Sequence, residues 1–189
     1  MSLCQNKTFT GLDFASQPLE FRQYEEVTFE RCLFIGVNLG AHSFQNCTFK
    51  GCQFSEVGLK HTKLSEVEFL DSKLTGLNFS GVEKILLNVS FKTCKLQMCS
   101  FCELPLKGTI FKGSFLKECR FDEANLTQAD FRECDLLGTQ FLRANLKAAL
   151  FQGAKNININ PKEAKLEKAH FTIDGALELA LGLGIIVDD

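Results

Sequence analysis

The sequence predicts an all-β coil closed by one short C-terminal α-helix. Three observations predict it. The first is a ladder. From Phe91 to Phe151 every fifth residue is Phe or Leu, in strict alternation: Phe91, Leu96, Phe101, Leu106, Phe111, Leu116, Phe121, Leu126, Phe131, Leu136, Phe141, Leu146, Phe151. A period of five fits neither the helical 3.6 nor the strand 2. It needs a chain that turns every few residues and returns one large apolar side chain to the same interior, the mark of a repeat architecture. The second is a companion register two residues upstream, which holds small or compact groups such as Cys94, Cys99, Thr109, Ser114, Cys119, Ala124, Ala129 and Cys134. The other three positions of each pentad are mostly polar or Gly, so two residues face in and three face mostly out. The third is the tail, where the pentad pattern gives way to a helical one.

Ala124-Asn125-Leu126-Thr127-Gln128 and Ala129-Asp130-Phe131 follow the pattern A(D/N)LXX. At these residues the chain resembles the pentapeptide repeat family, and the resemblance covers most of its length. It implies a right-handed quadrilateral β-helix with about four pentads per coil, over residues 1–156. Residues 157–189 then hold a last repeat remnant and a helix for capping and dimerisation.

The ladder starts near the N-terminus. Phe9, Phe14, Leu19, Tyr24, Phe29, Phe34, Leu39, Phe44, Phe49, Phe54, Leu59, Leu64, Phe69, Leu74 and Phe79 share one frame. With residues 20 apart stacked on one face, Phe9, Phe29, Phe49 and Phe69 form a column of rings at the strand spacing of about 4.8 Å. In the second half, Phe91, Phe111, Phe131 and Phe151 occupy one face and Phe101, Phe121 and Phe141 the opposite one.

One small-residue column is irregular: Arg22, His42 and Thr62. A buried unpaired Arg is costly, so either the first coil is open there or residues 18–24 make an excursion. His42 reads as a site residue or as a His hydrogen-bonded to backbone.

The frame breaks once. The centre after Phe79 should be residue 84, a Lys, and the frame resumes at Leu86 or Phe91, shifted by two. Residues 80–88 are therefore expected to bulge and to divide an N-terminal stack from a C-terminal one. The bulge is either a tolerated insertion or a protruding contact loop, in which case Glu83, Lys84 and Ile85 are candidate contacts.

After Phe151 the ladder fades, and Ala169-His170-Phe171 returns to frame. Asp174 is the expected N-cap and residues 175–181 the expected helix, stopped by Gly182 and Gly184. Its apolar residues cover more than one face. One face can seal the open end of the coil. The surplus, Leu177, Ala180, Leu181 and Leu183 with Ile185, Ile186 and Val187 as a short strand, fits a tail-to-tail C2 homodimer. The alternative is a tail folded down as the cap of a monomer.

Composition sets further bounds. The chain has 189 residues, 45% hydrophobic, with 19 Phe, no Trp and a net charge of −2, so it is neither a polyanion nor a polycation. No stretch reads as a signal peptide or membrane span, and a soluble cytoplasmic protein is expected. Seven of the nine cysteines, Cys32, Cys47, Cys52, Cys94, Cys99, Cys119 and Cys134, sit in the small inward register and read as compact hydrophobes. Cys99 faces in and Cys102 out, so the one CxxC is no metal pair. None of the three His makes a triad spacing, and no phosphate loop or paired catalytic carboxylates occur. A filled coil also offers no concave pocket. No enzyme activity, metal or cofactor is expected.

The length, the central break and the tail with its ending Gly184-Ile185-Ile186-Val187-Asp188-Asp189 look like the DNA gyrase-protecting group of the family. That group holds quinolone-resistance proteins of Qnr type and immunity proteins against microcin B17 and albicidin. The resemblance implies a dimeric rod that mimics DNA, binds DNA gyrase or topoisomerase IV and protects it from poisons. It implies no direct nucleic-acid or membrane partner. Residues 1–80 carry seven Lys and Arg against nine Asp and Glu, and residues 81–160 eleven against eight. Mimicry must therefore come from shape or from local rows such as Glu25, Glu26, Glu30, Glu66, Glu68 and Asp71. The alternative is a pentapeptide-repeat scaffold for some other protein–protein interaction.

Overall fold

A computed structural model describes residues 3–186. Short parallel strands stack coil upon coil on three faces. One face carries Leu3–Gln5, Gln23–Glu25, Ser43–Gln45 and Lys63–Ser65. The next carries Thr8–Thr10, Thr28–Glu30, Thr48–Lys50, Val67–Leu70 and Val89–Lys92, and the third Leu33–Ile35, Gln53–Ser55, Lys73–Thr75, Lys95–Gln97 and Phe115–Lys117. The fourth is held by single parallel bridges, among them Asn38 to Gly58 and Arg120 to Gln140. Register partners lie 20 apart, as in Phe29 with Phe49.

The period of five works because each side is a short extended piece and each corner bends sharply. Corner residues adopt left-handed backbone: Gly11, Gly51, Gly113 and Gly153 do so in one corner column, and so do Arg31, Asp71, Thr93 and Glu133. Non-glycine residues there are strained, and the ladders and core on either side hold them in place.

The interior is filled by centres. Nine rings, Phe9, Phe29, Phe49, Phe69, Phe91, Phe111, Phe131, Phe151 and Phe171, form one column with centroids 4.8–5.4 Å apart and planes within 19° of parallel. Phe79, Phe101, Phe121 and Phe141 stack at 4.7–5.3 Å on the opposite face. The two columns meet edge to face across the core, as Phe91 and Phe101 do at 5.4 Å and 75°. This is the offset and T-shaped packing that ring quadrupoles favour. From Phe29 to Phe151 the first column is essentially inaccessible to water.

The small inward register has a second use. Its hydroxyls and thiols donate to carbonyls of the coil below: Thr62 Oγ1 to Leu39 O at 2.9 Å, Ser72 Oγ to Phe49 O at 2.9 Å, Cys134 Sγ to Phe111 O at 3.0 Å and Thr139 Oγ1 to Leu116 O at 2.8 Å. Cys, Ser and Thr fit here because each is compact and carries one donor that a carbonyl can satisfy. All nine cysteines are free, eight of them buried and Cys102 half-buried.

The break at residues 80–88 is a bulge on one face only. The pairing continues through it, Val67 to Val89 and Phe69 to Phe91, with a 22-residue step. The expected division into two stacks is therefore absent: the ring column runs straight past the bulge because the two extra residues are extruded rather than absorbed. Leu86 is 78% exposed, so the frame does not resume there. Leu87 packs against the core instead, and regular pairing restarts at Val89.

The tail also departs from expectation at its start. The helix, α1, spans Ile173–Gly182, and its N-cap is Thr172, whose side chain accepts from Gly175 N. Asp174 lies within the first turn, where its charge suits the helix N-terminus. The helix lies on the end of the coil. Gly175 is buried and so close to Ile157 that a Cβ would stand 3.2 Å from its Cδ1. Glu178 accepts from Ile157 N at 3.0 Å, Leu179 packs on the core, and Phe171 ends the ring column.

Candidate functional site

The outward residues are the only ones free to meet a partner, and the coil decides which share a face. Glu26 and Glu66 project from one corner column, with Asn46 between them, at φ 54°. Glu25 lies on the face before that corner, where it accepts from Gln5 Nε2. Glu30 and Glu68 lie on the face after it, and both are ion-paired with a lysine of the next coil: Glu30 with Lys50 at 3.6 Å, and Glu68 with Lys92. Asp71 is one corner further and accepts from Thr93 Oγ1. These six acids do not assemble into one continuous row. They occupy two corners and two faces, and neighbouring lysines offset two of the six, Glu30 and Glu68.

At the bulge, Glu83 pairs with His61 at 3.0 Å and Lys84 reaches Glu103 at 3.9 Å. These two pairs brace the bases of a short loop whose tip is apolar: Ile85 is 80% exposed, beside Leu86. They are two adjacent bare aliphatic side chains on a protein whose core is otherwise well filled. The sequence pointed to Ile85 and missed Leu86, since a Leu on a ladder of Leu reads as core.

On α1 the exposed large apolar residues are Ile173, Leu177 and Leu181, with Ile185 and Ile186 beyond the helix end. The steps of four place the first three on one stripe. Ala180 and Leu183, expected beside them, are half-buried. Val187 lies outside the described residues. Ile173 escaped the sequence reading because the helix was expected to begin after it. Leu137 adds to the stripe from the coil: it is exposed and flanks Ile157, Glu178 and Leu181.

The first coil departs from the square outline. Between the bridge Asp13–Leu33 and the strand at Gln23 no strand or bridge forms. Residues 15–21 form an unpaired strap that keeps Leu19 and Phe21 against the core, and the Arg22 side chain is exposed rather than inside. The strap leaves a cleft of about 600 Å3 lined by Phe14, Pro18, Leu19, Glu20, Arg22, Val37, Asn38 and His42. This corrects the expectation that a filled coil offers no concavity. His42 is buried at 5% exposure, and its Nδ1 lies 3.3 Å from Gly40 O and 3.4 Å from Arg22 Nη1. Burial, then the neighbouring Arg22 charge, pull its pKa below the usual imidazole value.

Among the described residues no group of three or more His, Cys, Asp and Glu side chains could hold a metal ion. No helix among them is long and apolar enough to cross a membrane.

Comparison with known proteins agrees with the coil. Residues 23–83 and 84–160 match the family described as pentapeptide repeat region. Over 64 residues, 34% of this chain and 35% of the relative, the sequence is 33% identical to the pentapeptide repeat protein MfpA of Mycobacterium tuberculosis (strain ATCC 25618 / H37Rv). The match thus spans about a third of the length of that curated relative. Among solved structures, full-length QnrB1, a plasmid-mediated fluoroquinolone resistance protein, aligns over 97% of this chain and 100% of its own, with a TM-score of 0.42 and 16% identity. The pentapeptide repeat protein Rfr23 from the cyanobacterium Cyanothece 51142 aligns over 80% of this chain and 92% of its own, with a TM-score of 0.35 and 15% identity. The family match over most of the chain falls on the coils whose Phe and Leu centres carry the five-residue period, and the chain belongs to the pentapeptide repeat family.

Proposed function

We propose that this chain is a non-enzymatic binding rod that docks on a type II topoisomerase, DNA gyrase or topoisomerase IV, and protects it from topoisomerase poisons. It would act as a C2 homodimer. The observation that carries the reading is the C-terminal end, where a helix seals the coil with one face and leaves Ile173, Leu177 and Leu181 bare on the other. Two copies joined there would double a rod whose ring column alone, eight steps of about 4.8 Å, is about 38 Å long. The tail and central break are also the parts that resemble the gyrase-protecting group. Gyrase and topoisomerase IV work in the bacterial cytoplasm, which is where the proposal places the protein.

Shape would matter more than charge in such a complex. A duplex carries one charge per about 1.7 Å, whereas Glu30 and Glu68 are offset by lysines. That same neutrality favours the second reading, a scaffold for another protein partner without topoisomerase binding. A supercoiling assay separates them: purified gyrase is titrated with the protein, with and without a quinolone, albicidin or microcin B17. Rescue of supercoiling with any poison, or inhibition at high concentration, supports topoisomerase binding. A folded protein that changes nothing in any arm leaves the scaffold reading.

A further inference from the structure

The strap in the first coil is unlike the other corners of the coil, and what it exposes is chemically specific. One coil further on, Lys60 O accepts from Ala41 N, and beyond that Gly81 O accepts from His61 N. The equivalent carbonyl of Gly40 would receive Phe21 N, but the strap carries Phe21 N away to Tyr24 OH at 3.2 Å. Gly40 O receives Arg22 Nη1 at 3.3 Å instead. Arg22 Nη1 also faces His42 Nδ1. The same Nδ1 lies 3.3 Å from Gly40 O, so the ring is held beside the guanidinium at the carbonyl that both side chains approach. Arg22 makes no ion pair among the described residues, and only its Nη1 is engaged.

The Arg22 guanidinium thus lines the cleft with no carboxylate bonded to it. Glu20, the one acid lining the cleft, is not bonded to it. The remaining wall is apolar: Phe14, Pro18, Leu19 and Val37. A guanidinium presents its free N–H groups as a planar fork that matches a carboxylate. An apolar wall beside a few convergent polar groups is the usual make-up of a small-molecule site. We propose that this cleft binds a small organic monocarboxylate with a compact apolar body, its carboxylate on Arg22 and its body against Leu19 and Val37. The site is separate from the proposed topoisomerase contacts and does not depend on them. The same carboxylate chemistry could also come from a peptide C-terminus; the open cleft between strap and coil suits the free acid.

The test uses the full chain labelled with 15N and titrated with benzoate and hexanoate, then with benzamide and hexanamide as neutral isosteres, followed by NMR. Expected are saturable shifts confined to residues 14–22 and 36–42 and to the His42 ring, with the His42 pKa rising on binding. The amides should bind at least about tenfold more weakly, as should the Arg22→Gln variant, which loses a charged hydrogen bond. Arg22 is exposed, so the variant should keep the wild-type melting temperature. A C-terminal dipeptide that shifts these signals more tightly than benzoate would overturn the free-acid assignment. Absence of saturable shifts with either acid, or equal shifts from acid and amide, would overturn the site itself.

Discussion

Phe91 stacks on Phe69 at 5.0 Å and 8° although 22 residues, not 20, separate them. The two extra residues are accommodated in a bulge on one face, tipped by Ile85 and Leu86, while the opposite ladder stays paired. The core thus dominates the local insertion: a continuous stack of buried rings is worth more than an even spacing along the chain.

The ring column sets the first prediction. Phe111→Ala or Phe131→Ala removes a fully buried ring flanked by parallel neighbours at 4.9–5.3 Å. The loss should be about 3–5 kcal/mol, read by chemical denaturation. A melting temperature equal to wild type would contradict the inward ladder.

At the bulge, the opposite outcome is expected. Replacing Ile85 and Leu86 together by Ser should change stability by no more than about 0.5 kcal/mol, since both side chains are exposed. If the loop contacts the partner, the same variant should protect gyrase less in the supercoiling assay. A large loss of stability would show that the tip packs on the coil in solution.

Self-association through α1 is tested by Leu181→Asp. Leu181 is 56% exposed in the single chain, so a charge there leaves the fold intact and disfavours only a covered interface. Light scattering should report a monomer where wild type is a dimer. A variant that remains a clean dimer would exclude this stripe as the interface.

His42 makes stability depend on pH. Its folded pKa lies below the unfolded imidazole value of about 6.5, first through burial and then through Arg22. The unfolded chain therefore binds the proton more readily, and stability falls as pH drops from about 6.5 toward the folded pKa. Melting temperatures between pH 7.5 and 5 should decline in wild type and decline less in His42→Gln. A variant that follows the wild-type profile would locate the titration elsewhere.

The thiols give a final check. Burial raises Cys47 to about 11 and Cys52, Cys94 and Cys134 to about 12, so little thiolate forms near neutrality. Cys102 alone is half-buried rather than buried. A chromogenic disulfide reagent at pH 8 should titrate about one thiol per native chain, and Cys102→Ser should remove it. Several fast-reacting thiols would mean that the coil opens readily.

The sequence alone determined the coil. A large apolar residue at every fifth position can be buried only by a chain that turns at every pentad, and no other regular structure has that period. It also marked the small inward register, the bulge and the helical tail, because each breaks or keeps the count in a visible way. What the tertiary structure decided were matters of neighbourhood 20 residues away. Glu30 and Glu68 look like free acids until the next coil sets Lys50 and Lys92 beside them. Leu86 and Leu87 are the same residue type in adjacent positions, and only the wound coil determines which one packs against the core. Ile173 joins the exposed stripe because Thr172, not Asp174, caps α1. The Arg22–His42 cleft exists because a strap that lacks strand pairing leaves the Gly40 carbonyl to a side chain. Periodicity is written locally and survives in the sequence. Charge pairing, caps and clefts are set by which coils touch, and that is fixed only once the chain has wound.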